Sequence, residues 1–127
     1  QLGVGSGDDV LRTFTADQTL HGRHFVVGVA CGRQHAVAVT ASGFVYVTGD
    51  NRYGQLGLTS EETQAAPHKA PSTVNRFTRL QLPGPCVGVA CGTFSTFFVL
   101  RDGSVFGCGN NDFGQLGILP PSSVVSP

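Results

Sequence analysis

His21-Gly22-Arg23-His24 lies seven residues ahead of Cys31, and two imidazoles with a thiol are donor types that hold zinc. A structural zinc site, however, needs four ligands in clustered pairs such as C-x-x-C with H-x3-5-H, whereas Cys86 and Cys91 are separated by four residues and no such pair occurs. No metal is expected. His35, in Cys31-Gly32-x-x-His35, has the residue type of a general base, but the matching Cys91-Gly92 stretch carries Ser95 there, which cannot do base chemistry. His35 is therefore expected to be structural, its ring bonding a nearby backbone group. Gly3-Val4-Gly5-Ser6-Gly7 invites a phosphate-loop reading, yet it lacks the Lys-Ser/Thr pair of a P-loop and the strand-to-helix setting of a dinucleotide site. A turn is expected there. Asp8-Asp9 and Glu61-Glu62 are adjacent carboxylates, and chain neighbours rarely face one substrate, so they read as solvated charge. No catalytic residue and no cofactor emerge from these constellations.

What the chain does have is repetition. Residues 27–58 match residues 87–118 at a constant offset of 60 without a gap, 15 of the 32 positions being identical. Gln1-Leu2-Gly3 resembles the close of each full unit, Gln55-Leu56-Gly57 and Gln115-Leu116-Gly117, and so reads as the tail of another copy. About two copies is fewer than repeat architectures need to cover their apolar faces, so a segment of a longer protein is expected. The partners it requires are further units or a second copy of itself.

Eight Lys+Arg balance eight Asp+Glu in 127 residues, so the basic excess of a nucleic-acid or anionic-membrane surface is missing. The longest apolar run, Phe25 to Cys31, is far short of a membrane span. Four cysteines in a chain larger than the disulfide-stapled scaffolds, with Cys31 and Cys91 at one repeat position, read as buried free thiols in the cytoplasm or nucleus.

Each unit reads as short strands cut by glycine. Val26–Cys31, His35–Thr40 and Phe44–Thr48 form the first set, with Ser42-Gly43 as a turn; Val87–Cys91, Thr96–Leu100 and Val105–Cys108 form the second. Asp102-Gly103 between apolar runs is a hairpin signal, which makes Val99 and Val105 antiparallel neighbours. Residues 59–71 are polar and proline-bearing and read as a surface loop, followed by a strand near Phe77–Leu82; Thr13-Phe14-Thr15 marks a shorter counterpart. Thr96-Phe97-Phe98-Val99-Leu100 is apolar on both faces, so the sheet needs cover front and back, which radial stacking of small sheets provides. Tyr53 and Phe113 are expected as a repeated aromatic anchor, Leu56 and Leu116 as core pegs.

Val29-Ala30-Cys31-Gly32, His35, Val45-Tyr46, Gly49, Asn51 and Gly54-Gln55-Leu56-Gly57 resemble the repeat of the regulator of chromosome condensation family, as do Val89-Ala90-Cys91-Gly92, Asp102-Gly103, Gly109, Asn111 and Gly114-Gln115-Leu116-Gly117. The resemblance implies an all-β fold, part of a seven-bladed β-propeller, here about two four-stranded blades. It divides the chain into a tail and connecting strand (1–25), a first repeat motif (26–58), a loop and connecting strand (59–85), a second motif (86–118) and a final stretch (119–127). Thr48 and Cys108 stand where the family often has Trp, and with no Trp at all the chain does not resemble the light-sensing plant branch.

Such a frame implies protein binding without chemistry of its own. Family members include exchange factors for a Ran-like small GTPase, substrate-recognition propellers of ubiquitin ligases and scaffolds. Contacts are expected where matched units differ, at Arg33-Gln34 against Thr93-Phe94 and Arg52-Tyr53 against Asp112-Phe113. The expected partner is a protein, a small GTPase or a scaffold, with no nucleic acid and no membrane.

Overall fold

A computed structural model describes residues 25–58, 72–112 and 116–117. Outside them lie the Gly3–Gly7 turn, Asp8-Asp9, the Thr13–Thr15 strand, His21 and His24, the 59–71 loop with Glu61-Glu62, Phe113 and the final stretch.

The described residues are all-β. Seven strands follow in order: β1 (Val26–Cys31), β2 (His35–Thr40), β3 (Val45–Asp50), β4 (Thr73–Leu80), β5 (Cys86–Cys91), β6 (Ser95–Leu100) and β7 (Val105–Gly109). They build a four-stranded antiparallel sheet, β1-β2-β3-β4, and a sheet of three strands, β5-β6-β7, among the described residues. The repeat is literal in the register: Val26 and Cys86 both precede a bulge, Val39 pairs with Val45, and Val99 pairs with Val105. Gly43 and Gly103 both hold φ of 92° in the hairpin turns, a backbone conformation that β-branched and bulky residues resist.

The fourth strand departs from expectation. It runs from Thr73 to Leu80 instead of Phe77 to Leu82, and it pairs with β3, completing the first sheet. Its start is fixed by hydrogen bonds rather than hydrophobicity: Asn51 N–H donates to Ser72 O (2.8 Å) and Thr48 Oγ1 to Val74 O (2.9 Å). An edge strand tolerates Asn75-Arg76 because one flank faces water, so no apolar pattern announces it. Pro83 and Pro85, which lack an N–H, mark the chain's departure from the ladder.

The core fills the seam between the sheets. Val37, Val39, Val45 and Val47 from the first meet Phe98, Leu100 and Cys108 from the second, with Leu56, Leu58 and Leu80 closing the ends. On the far side of the first sheet Ala38 and Tyr46 pack with Val26 and Phe77. Both faces of the first sheet are therefore apolar. Leu56 is fully buried, as expected of a core peg, and Leu116 lies half-buried against Gly107.

The cysteines are free, but the equivalence of Cys31 and Cys91 does not extend to burial. Cys31 is exposed, in phase with exposed Val27 and Val29 on β1, whereas Cys91 is partly buried and packs against the core. Burial pushes the Cys91 thiol up to about 11 and the Cys108 thiol up to about 12.

Candidate partner-binding site

Three connections gather at one end of the two sheets: the β1–β2 turn, the loop after β3 and the β5–β6 turn. The strands fix their positions, since His35 pairs with Gly49 and Ser95 with Gly109 at the same end of each hairpin. Gly49 and Gly109 have φ of 108° and 114°, and a Cβ on either would strike the carbonyl of Gln34 or Phe94. Close backbone approach there requires glycine.

The loop after β3 is held from within. Asn51 Oδ1 accepts from Leu56 N–H (3.0 Å), and Asn111 Oδ1 accepts from Leu116 N–H (2.9 Å). Buried Gln55 is the hub: its Oε1 accepts from Tyr53 N–H (2.9 Å) and its Nε2 donates to Asp50 Oδ2 (3.1 Å). The Gln55 carbonyl accepts from the Thr96 hydroxyl and Cys108 Sγ of the second sheet. The same bond made by Asn51 and Asn111 explains why Asn recurs in both units.

On this frame sit the residues that differ between units. Arg52 Nε donates to Asp50 Oδ1 (2.8 Å), while its Nη2 donates to Asp50 Oδ2 (3.1 Å) and Gln34 Oε1 (2.7 Å), so the β1–β2 turn is locked to the end of β3 and the loop after it. Burial raises the Asp50 carboxyl, yet the Arg52 hydrogen bonds and charge outweigh it and hold the group below the usual carboxylate range. Tyr53, 44% exposed, lies with its ring centroid 4.7 Å from that of Phe94 across the seam. Arg33 N–H donates to Thr93 O (3.2 Å), which ties the two strand turns. The Arg33 side chain is exposed and pairs with no carboxylate among the described residues.

Six of the eight residues picked from sequence, Arg33, Gln34, Arg52, Tyr53, Thr93 and Phe94, thus join into one surface. Exposed Asp112 extends it: its N–H donates to Asn110 Oδ1 (2.8 Å), and Asn110 N–H donates to Phe94 O (2.9 Å). Phe113 is outside the described residues. Tyr53, expected as an aromatic anchor, is half-exposed at the rim and packs on Phe94. Sequence reasoning missed Asp50, whose signal was its spacing of two from Arg52.

His35 lies buried beneath this surface. Its Nε2 is 2.8 Å from Thr96 Oγ1 and 3.2 Å from Ser95 O, and a carbonyl only accepts, so Nε2 carries the proton. Buried Nδ1 has no hydrogen-bond partner among the described residues, and burial lowers the ring's pKa below its ordinary value.

Residues 26–55 and 86–115 match a family model described as the regulator of chromosome condensation (RCC1) repeat, and residues 42–99 match a second model of the same description. The chain belongs to the regulator of chromosome condensation repeat family. Within that family it is 35% identical over 115 residues to the ultraviolet-B receptor UVR8 of Arabidopsis thaliana, covering 91% of this chain and 24% of the relative. This similarity corrects the expectation, drawn from the lack of tryptophan, that the chain does not resemble the light-sensing plant branch. It is 37% identical over 94 residues to the probable E3 ubiquitin-protein ligase HERC4 of Rattus norvegicus, covering 73% of this chain and 8% of that protein. Among solved structures, Prp20p from Saccharomyces cerevisiae, described with its binding to Gsp1p and histones, superposes with a TM-score of 0.73 at 19% identity over 84% of this chain and 25% of that one. Human WBSCR16 superposes with a TM-score of 0.61 at 32% identity over 80% of this chain and 24% of that one. The chain thus spans about a quarter or less of these RCC1-repeat relatives, and its two sheets are blades of an RCC1-type β-propeller. Among the described residues, no helix is long and apolar enough to cross a membrane.

Proposed function

We propose that this chain is a protein-binding propeller module, acting in the cytoplasm or nucleus, whose partner seats on the surface from Arg33 to Asp112. The observation that carries the reading is the stack of Tyr53 on Phe94: a constant frame brings side chains that differ between units into one exposed aromatic patch. Arg33 supplies an exposed cation that pairs with no carboxylate among the described residues, and aromatic and Arg side chains are common interface anchors. Arg52 is already held by Asp50 and Gln34, so it shapes the patch more than it attracts a partner.

One finer form of this reading is guanine-nucleotide exchange on a Ran-like GTPase. The surface would bind the nucleotide-free GTPase more tightly than the loaded form, and that difference in affinity speeds release. Measuring release of a fluorescent guanine nucleotide from candidate GTPases with the full-length protein tests it. Acceleration that Arg33→Glu abolishes is expected; unchanged release from every candidate rules exchange out while leaving partner binding standing. A second form, substrate recognition for a ubiquitin ligase, is favoured by the 37% identity to HERC4. Ubiquitin transfer by the full-length protein to a captured partner is its test. A scaffold role is expected if neither activity is found and the partners are assembly subunits.

A further inference from the structure

At the opposite end of the seam, where the β2–β3 turn meets the approach to β5, the sheets leave a cavity of about 220 Å³. Phe44, Val45, Leu80, Leu82 and Pro85 give it apolar walls, and Arg79 stands at its side. The walls are fixed. Val45 and Leu80 belong to the buried core, and Cys86 N–H donates to Gly43 O (3.0 Å), clamping the turn against Pro85. Gly43 touches Pro85 so closely that an added Cβ would lie 2.6 Å from the proline Cβ.

The size decides the class of occupant. Pockets for drug-sized ligands start near 300 Å³, whereas a cavity of about 150 Å³ already admits a benzene. One aliphatic or small aromatic side chain therefore fills this space. The charge decides what accompanies it. The Arg79 guanidinium carbon lies 4.1 Å from the Phe44 ring centroid, so the ring holds the cation in place, and no carboxylate among the described residues pairs with it. A planar guanidinium suits two-pronged binding of a carboxylate. The Arg101 N–H donates to Pro85 O (2.8 Å), which fixes the proline wall from the second sheet. Its neighbour Asp102 is engaged by Ser104 N–H (2.9 Å).

We propose that this inter-blade cavity binds an extended segment of a partner protein carrying an aliphatic side chain next to an Asp or Glu, the side chain entering between Phe44, Leu82 and Pro85 and the carboxylate meeting Arg79. The site is separate from the Arg33–Asp112 surface and does not depend on it. It gives the module a second point of attachment, and two weak contacts on one partner reinforce each other through effective concentration.

The probe is the peptide acetyl-Gly-Asp-Leu-Gly-amide, titrated into the isotope-labelled full chain and followed by amide chemical shifts. Shifts confined to residues 42–45 and 79–85 are expected, with millimolar affinity. Arg79→Gln weakens binding about fivefold or more, replacing Asp by Asn in the peptide does the same, and the two losses together do not multiply. Replacing Leu by Gly in the peptide abolishes binding. The peptide changes are read on the wild-type chain, so the outcome does not depend on how the variant folds. The proposal is overturned if residues 42–45 and 79–85 do not respond, if both charge changes leave affinity within twofold, or if acetate alone reproduces the shifts at equal concentration.

Discussion

His35 Nε2 sits 2.8 Å from Thr96 Oγ1, a hydrogen bond between residues 61 apart that fastens the first sheet to the second. The Thr96 hydroxyl passes the connection on to the Gln55 carbonyl, so imidazole, hydroxyl and loop backbone form one buried chain. Removing a buried hydrogen-bond partner costs about 1–3 kcal/mol, and loss of the ring adds a cavity. His35→Ala is expected to lower stability by at least about 2 kcal/mol, read from the urea midpoint at unchanged slope. A loss below about 0.5 kcal/mol would mean that the seam is held by apolar packing alone.

Acid should loosen the same joint. Burial lowers the folded-state pKa of His35, so between that value and the unfolded value of about 6.5 the unfolded chain binds more protons. The His35 contribution is complete above about pH 6.5 and is lost as pH falls toward the folded value. Asp50, held below its ordinary range mainly by Arg52 against its own burial, adds stability that persists until about pH 4 and is lost below it. Wild type should therefore weaken in two acid windows, and His35→Gln should remove the upper one only. Parallel stability curves for the two proteins from pH 7 to pH 5 would contradict this.

Two glycines with positive φ should respond differently. Gly49 has φ of 108°, and an added Cβ would collide with the Gln34 carbonyl and with His35 Cα at 2.7 Å. Gly103 has φ of 92° with nothing within 4 Å of an added Cβ. Gly103→Ala is expected to cost about 1 kcal/mol from backbone strain, and Gly49→Ala about 3 kcal/mol or more because the backbone must also move. Thermal melts of both variants check the order, and equal losses would show that the β3 end yields easily.

The hairpins were plain in the sequence because local chemistry dictates them: Ser42-Gly43 and Asp102-Gly103 between apolar runs turn the chain, and the offset of 60 aligns every paired residue. Edge strand β4 was misplaced by four residues at its start because main-chain bonds to Ser72 and Val74 set it. Contrast between units picked out the surface residues, but which of them touch is a matter of the seam. Tyr53 and Phe94 are 41 residues apart, and only the packing of one sheet on the next makes them neighbours. Cys31 and Cys91 show the converse, since residues at one repeat position differ in burial, Cys31 being exposed and Cys91 packed against the core.

The Tyr53–Phe94 contact should register as a coupling energy. Aromatic pairs contribute about 0.5–1.5 kcal/mol beyond area burial, and partial exposure places this one at the lower end. A double-mutant cycle with Tyr53→Ala and Phe94→Ala is expected to give about 0.5 kcal/mol, and strict additivity would show that the rings do not support each other in solution.

Photo-crosslinking tests the partner surface most directly. A benzophenone side chain is placed at position 33, 53 or 94 of the full-length protein, and at position 76 on the outer strand as the control. The same partner captured from all three positions but not from 76, and lost from position 53 when Arg33→Glu is added, is the predicted result. Capture from position 76 with equal yield, or different partners from positions 53 and 94, would contradict a single shared binding surface.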